Sequence, residues 1–283
     1  MHLCAPTAPI PWDEIVPLCT TVENPSLTPL LPAARRPRSA LAVTVVIPAH
    51  RGPPVGLARF LQQDVNVTPL ILANGPFAQG LRVDWLGHGA TRNLALPHIQ
   101  TPWVCFSVDD AIPLGPGFLQ ALIERLEETG ADAVTARQIP WPTADHVTRT
   151  RIRAWTPPNA TSSPPLDNVA ALYRTNALLD DPFDDVPTAE DWLWGRRHRV
   201  AYAPNAVVVH SHPRVFTDLF TRTRDTHRVR IAEGEAPRVP SLTAMLRGLP
   251  STIGPDLPGA LAELLGQYAA TYPRKISQTH PSA

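Results

Sequence analysis

The sequence predicts an α/β protein: a mainly parallel, twisted sheet flanked by helices. Short β-branched runs recur along the chain, amphipathic segments lie between them, and polar, chemistry-bearing residues follow the ends of the runs. With 283 residues, 43% of them apolar, the chain has material for one sizeable core with terminal additions.

The elements follow in order. Residues 1–40 carry Pro6, Pro9, Pro11, Pro17, Pro25, Pro29, Pro32 and Pro37 and end in the basic Arg35-Arg36-Pro37-Arg38, so an irregular Pro-rich arm is expected there. Val43–Ile47 is the clearest strand. Leu70–Ala73, Val104–Val108, Ala133–Ala136 and Ala206–His210 are further strands, each short and apolar as strands buried on both faces should be. Between Pro116 and Glu128, the residues Phe118, Leu119, Leu122, Ile123 and Leu126 form one helical stripe, and Gly130 is placed to stop it. Thr156–Pro165 (TPPNATSSPP) reads as a loop over one face of the core. Thr188–Trp194 opens a helix, with Thr188 and Asp191 spaced as a capping box. Residues 41–215 are therefore assigned to the central domain and 216–283 to a helical C-terminal extension.

Composition removes several classes of function. The 25 basic and 25 acidic residues cancel, so no global field gathers nucleic acid or anionic membrane, and a small molecule or a carried group is the expected partner. Lys275 is the one lysine, a bias that fits a GC-rich bacterial genome more than any function. Cys4, Cys19 and Cys105 are odd in number and unpaired in spacing, against a disulfide framework or a zinc cluster. No secretory signal pattern is present, and the longest mainly apolar run, Leu41–Ala49, falls well short of the roughly 18–20 residues of a spanning helix, so a soluble, cytoplasmic protein without a transmembrane segment is expected.

In open α/β sheets ligands lie beyond the carboxyl ends of the strands. The first strand runs into Pro48-Ala49-His50-Arg51-Gly52, which lacks the glycine spacing of a dinucleotide fold or a P-loop. The strand Val104–Val108 runs into Asp109-Asp110. Adjacent carboxylates there suit a divalent ion bridging phosphates, and equally a strand-end turn in which one acid caps the next element. Glu190-Asp191 at a helix start suits the helix dipole, or a general base with Trp192 or Trp194 as an apolar wall for a sugar ring. His210 and His212 alternate to one side of their strand, where they complete a metal site or sit as ordinary surface histidines. The Arg222, Arg224, His227, Arg228 and Arg230 run reads as a solvated helix face, or as a segment folding over a diphosphate. Leu242–Leu246 and Leu257–Tyr268 are apolar helical stretches that pack on the core or on a second subunit, a homodimer being one arrangement they allow.

Taken in order, these pieces resemble the family 2 glycosyltransferases, inverting enzymes of GT-A fold, and within them the rhamnosyltransferase-like branch. The resemblance spans roughly Val43–Pro213. It rests on Val43–Pro48, on Gly89-Ala90-Thr91-Arg92-Asn93 for a Gly-x-x-Arg-Asn segment, and on Phe106–Pro113 for a D-x-D metal segment followed by Phe118-Leu119. It continues through Arg137-Gln138-Ile139-Pro140 and Glu190-Asp191-Trp192 to Tyr202–His212. It implies a donor pocket of Pro48, Ala49, His50, Asn74, Arg92, Asp109 and Asp110, and a divalent metal, Mg²⁺ or Mn²⁺, at Asp110 with His210 and His212. Asp191 would be the catalytic base, with Glu190 beside it, and a dTDP- or UDP-sugar, a deoxyhexose donor among them, would pass its sugar to an acceptor whose identity the sequence leaves open. Two positions depart from the family: Val108 replaces the first acid of D-x-D, and Ala73, with Asn74-Gly75 next, replaces the acid that contacts the nucleobase. A nucleotidyltransferase on a related sheet and a degenerate, non-catalytic sugar-nucleotide-binding subunit are the competing readings. The first is disfavoured by the poor phosphate loop His50–Pro54, the second by the presence of both Asp110 and Asp191.

Overall fold

Val43, Val45, Val46 and Ile47 are all inaccessible to solvent, as a strand covered on both faces requires. They belong to β1 (Ala42–Ala49), the centre of a computed structural model that describes residues 40–50, 52–75, 80–160, 163–212, 215–235 and 257–271. The N-terminal arm, Arg51, Cys4, Cys19, Lys275 and the stretch Leu242–Leu246 lie outside the described residues. After β1 come α1 (Leu57–Phe60), β2 (Asn66–Ala73), β3 (Leu81–Arg82) and α2 (His88–Asn93), then β4 (Trp103–Ser107), β5 (Ile112–Pro113), α3 (Phe118–Thr129) and β6 (Ala133–Ile139). They are followed by α4 (His146–Trp155), β7 (Ala170–Arg174), α5 (Thr175–Asp180), α6 (Glu190–Arg197), β8 (Val200–Val209), α7 (Phe216–Ala232) and α8 (Leu257–Thr271).

The strands form one eight-stranded sheet in the order β3-β2-β1-β4-β7-β6-β8-β5. Pairs β2/β3, β1/β2, β1/β4 and β6/β8 are parallel; β4/β7, β6/β7 and β5/β8 are antiparallel. The expected mainly parallel sheet is present. The two-residue period of a strand separates its faces. Val43, Val45 and Ile47 pack with Cys105, Leu172 and the stripe Phe118, Leu119, Leu122, Ile123 and Leu126 of α3. Val46 packs on the other side with Val104, Phe106, Tyr173, Phe183 and Trp194. As expected, α3 ends at Gly130, which takes the left-handed conformation at φ 59°. Burial pushes the Cys105 thiol far above its ordinary range, so it stays protonated and serves as a small apolar side chain.

One expected wall residue is a core residue instead. Trp194 is fully buried, stacks on His198 at 3.7 Å between ring centroids, and donates its Nε1–H to the Asp181 carbonyl. Its size and satisfied indole suit the core under α6, and no face is left for a sugar.

The chain divides into two compact units, Met1–His212 and Pro213–Ala283. In the second, α7 and α8 pack together, burying Leu219, Ala262 and Ala270. Arg224 and Arg228 approach Asp225, and Arg230 binds Glu235, so these arginines engage carboxylates of their own unit. Among the described residues no helix is long and apolar enough to cross a membrane.

Candidate functional site

The carboxyl ends of β1, β2 and β4 surround a cavity of ≈ 540 Å³ lined by Pro48, His50, Asn74, Trp85, His88, Thr91, Arg92, Val108, Asp109, Asp110 and His212. Six of the seven residues expected at a donor site line it. Ala49, the seventh, is buried at the end of β1, where its carbonyl accepts the Asn74 N–H. Asp109 ties two strand ends together: one carboxylate oxygen accepts the His50 N–H at 3.2 Å, and its carbonyl accepts the Val55 N–H at 2.7 Å. Both amide atoms of Asn74 are buried without a hydrogen-bond partner among the described residues, although a buried polar atom ordinarily has one.

The short antiparallel pairing of β5 with the end of β8 folds the Asp109-Asp110 turn back onto the histidines. Asp110 Oδ1 lies 3.4 Å from His210 Nε2, and Asp110 Oδ2 lies 3.1 Å from His212 Nδ1. One donor atom from each of the three residues lies within 4.8 Å of the others. The His210 and His212 Nε2 atoms are 3.1 Å apart, so they can hold one proton between them or together ligate one cation. Burial works against charge on Asp110, but hydrogen bonds and positive charge from the two histidines outweigh it and hold the carboxyl well below the usual range. A carboxylate and two imidazoles, converging at a cavity wall, fit a divalent transition metal.

The acid pair sits apart from this cluster. The helix expected at Thr188 begins at Glu190, but Thr188 does not cap it: Ala189 precedes it in the left-handed conformation, φ 64°, and no side chain caps there. That conformation disfavours a side chain, and among the described residues Ala189 alone adopts it without being glycine. The turn aims Glu190 inward, where its Oε1 meets Arg92 Nη1 at 2.9 Å and Asn168 Nδ2 at 3.0 Å. Asp191, partly buried, accepts the Asn168 N–H at 2.8 Å and its own neighbour's, Trp192 N–H, at 2.8 Å. Burial first, then the charges of Glu190 and Asp167, raise the Asp191 pKa well above the carboxylate range. Asp191 does not line the donor-type cavity; it connects to it through Asn168, Glu190 and Arg92.

The structure shows why glycine, arginine and asparagine occur together at 89–93. All three hold the segment 183–190. A Cβ on Gly89 would lie 2.1 Å from the Asp184 carbonyl oxygen; Arg92 binds Glu190; Asn93 exchanges two hydrogen bonds with the Phe183 backbone at 2.8 and 3.1 Å. Gly89→Ala is therefore expected to destabilise the protein by about 1–3 kcal/mol, as overpacking against fixed backbone does, and a urea titration measures it.

Asn168 and Asp167 were not among the residues expected from sequence. They precede β7, and because β7 runs antiparallel to β4, its beginning lies at the same edge as the ends of the parallel strands. The polar pair directly before the apolar run Val169–Tyr173 is the sequence signal that marks them. Trp85, half exposed at the cavity mouth, is the aromatic that sequence reasoning missed.

No protein-family model and no curated protein matches the sequence. The fold is similar to that of the mannosyltransferase PcManGT from Pyrobaculum calidifontis, solved in complex with GDP-Man and Mn²⁺, at 17% identity and a TM-score of 0.52 over 92% of this chain and 81% of that one. It is also similar to S. aureus TarS 1–349 in complex with UDP-GlcNAc, at 14% identity and a TM-score of 0.45 over 81% of each chain. The first likeness establishes a GT-A-like fold, the α/β class expected from the sequence.

Proposed function

We propose that the protein is an inverting glycosyltransferase of the family 2 type, moving a sugar from a nucleotide-diphosphate donor to an acceptor hydroxyl. The observation that carries this reading is the convergence of Asp110, His210 and His212, the first and last of which line a cavity placed at the strand ends of a GT-A-like sheet. The donor would lie in that cavity. Trp85 and Asn74 stand at its walls as an aromatic surface and an unpartnered amide for the nucleobase, which fits a UDP- or dTDP-sugar.

A divalent ion held by Asp110, His210 and His212 would supply positive charge to the departing diphosphate. Asp191 would take the proton from the attacking hydroxyl, a role that needs hydrogen-bond reach and an ionised carboxylate. Asn168 fixes that carboxylate through its backbone N–H, and Glu190 serves as the partner that holds Arg92 and Asn168. The nitrogen-rich ligand set favours Mn²⁺ over Mg²⁺. The exposed Leu261, Leu265 and Tyr268 of α8 lie at helical spacing and support pairing of two copies.

The test is a thermal-shift panel of UDP-, dTDP- and GDP-sugars with Mn²⁺, with Mg²⁺ and without metal. One nucleotide is expected to stabilise the wild type with Mn²⁺ and much less with Mg²⁺, and Asp110→Ala to abolish the metal-dependent part. Val108 and Ala73 keep the non-catalytic subunit as the second reading. Binding without any release of nucleoside diphosphate would favour it, and no binding across the panel would sink both.

A further inference from the structure

A second concavity of ≈ 200 Å³ opens at the end of β6, lined by Arg137, Gln138, Ile139, Pro140, Trp141, Pro142, Arg149, Arg153, Thr156 and Pro158. Three of these residues are arginines and none is acidic. Among the described residues, the side chains of Arg137 and Arg153 make no hydrogen bond and meet no carboxylate, and the Tyr202 phenol is the polar neighbour of Arg137. Arg149 donates to the Pro142 carbonyl, which folds the loop after β6 over the cavity. Burial holds Arg137 below the ordinary arginine range; the Tyr202 phenol pulls the other way, and the Arg153 charge adds a smaller push in the direction of burial. Arg137 is half-buried there, while Arg149 and Arg153 are exposed residues of α4 that line the same recess. An anion placed among the three relieves their mutual repulsion, and guanidinium forks match the oxygens of phosphate, sulfate and carboxylate.

The recess is wired to both halves of the candidate active site. Gln138, nearly buried, donates its Nε2–H to Asp167 at 2.7 Å, and Asp167 precedes the Asn168 whose N–H holds Asp191. On the other side the Ile139 carbonyl accepts the His210 N–H at 2.9 Å, and the Trp141 N–H reaches Ser211 Oγ at 3.1 Å. Thr156, buried, bonds both the N–H and the carbonyl of Gln138 and so fixes the strand end against α4. The indole of Trp141 and the rings of Pro140, Pro142 and Pro158 give apolar walls beside the charges. The metal cluster and the donor-type cavity lie elsewhere, and of the residues lining the two cavities none is shared.

We propose that this recess binds a phosphate, sulfate or carboxylate carried by the acceptor, so that the acceptor is an anionic molecule rather than a neutral one. The assignment to the acceptor rests on the transferase reading above; the anion site itself does not. Anchoring the charged group here would leave a hydroxyl of the same molecule to approach Asp191, a division of labour in which remote binding orients the reacting atom.

The experiment is isothermal titration of inorganic phosphate, and in parallel of glycerol 3-phosphate and glycerol, into the full chain with and without saturating UDP and Mn²⁺. The variants are Arg137→Ala, Arg137→Lys and Arg153→Ala; Arg153 is exposed, so its loss leaves folding intact even where a change at Arg137 does not. Phosphate and glycerol 3-phosphate are expected to bind, glycerol not to bind, and each alanine variant to weaken binding by roughly tenfold, the scale of a charge-assisted hydrogen bond. The Arg137→Lys variant, which keeps the charge and loses the fork, should fall between. UDP should leave the phosphate affinity unchanged. Absence of phosphate binding, or binding indifferent to both arginines, overturns the proposal. Competition by UDP also overturns it, because the recess would then hold the donor's phosphates. A protein that binds phosphate through these arginines but no sugar nucleotide overturns the transferase reading and, with it, only the identification of the anion's carrier as an acceptor.

Discussion

Asp191→Asn is expected to lower turnover of the cognate sugar nucleotide by about 10²- to 10⁴-fold, the range of a general base, while leaving donor binding close to wild type. In the proposed mechanism the base serves the acceptor, and the cavity residues Arg92, Asn74 and Asp109 remain in place. A second readout separates catalysis from scaffolding. Because burial and the charges of Glu190 and Asp167 raise the Asp191 pKa, the folded state holds this proton more tightly than the unfolded chain, whose aspartates titrate near ~3.9. At this group the unfolded state binds fewer protons across that interval, so the contribution of Asp191 to stability is greatest at its acid end. It falls as pH rises from the unfolded value through the folded one. Activity runs the other way, since only the ionised carboxylate accepts a proton: the rate climbs along an acid limb set above the ordinary carboxylate range. In Asp191→Asn the rate limb should vanish from a pH profile of diphosphate release, and melting scans should lose the share of the stability slope that Asp191 supplies. A variant that keeps full turnover would remove Asp191 from the chemistry.

Glu190→Ala is expected to destabilise the protein by about 3–5 kcal/mol, because it strands a buried guanidinium without its counter-charge. Arg92 is 4% exposed and Glu190 3%, and the Arg92 Nε has no partner among the described residues, so the Glu190 contact compensates most of its charge. Against a total stability of about 5–15 kcal/mol, such a loss brings the protein close to its unfolding threshold. The paired replacement of Arg92 with Met and Glu190 with Leu should cost less than Glu190→Ala alone, since it removes both charges together. Urea titrations of the three proteins measure the difference. Equal losses in the single and the paired variants would mean that shape, and not charge compensation, is what these two side chains supply.

The parts of the molecule legible in the sequence are those whose signal is local. Strands β1, β4 and β6, the second half of β2 and the last residues of β8 announce themselves by apolar runs, and α3 by a helical stripe ended by Gly130, because burial on two faces or one leaves a short-range pattern. β2 begins earlier, at Asn66, and β8 runs from Val200 to Val209, so His210 follows the strand instead of ending it. Part of the cavity was legible for a related reason: a parallel sheet presents the residue after each strand to one edge, so reading past the end of β1, β2 and β4 leads to His50, Asn74 and Asp109. What was not legible depends on direction and pairing. β7 sits antiparallel between β4 and β6, so its first residues share that edge, and a rule that looks past strand ends overlooks Asp167 and Asn168. The spacing of Thr188 and Asp191 imitates a capping box, but a left-handed Ala189 redirects the chain, and Asp191 instead meets a backbone N–H of residue 168. Trp194 was ambiguous because an aromatic on an amphipathic helix reads the same whether its partner is a ligand or the core.

The sheet order also has a consequence for how the chain is made. In synthesis from the N-terminus, β1, β2 and β4 can pair as soon as they emerge, but the strand that covers the far edge of β4 is β7, which begins at Ala170, and β6 gains β8 only at Val200. Until then the nascent sheet presents an unpaired edge at Val104, Cys105 and Phe106, residues with no solvent exposure in the finished protein. An apolar open edge of this kind is a template for pairing with other chains. The interval between the appearance of Ser107 and that of Ala170 is therefore a stage at which this protein is exposed to misassembly and to the action of chaperones.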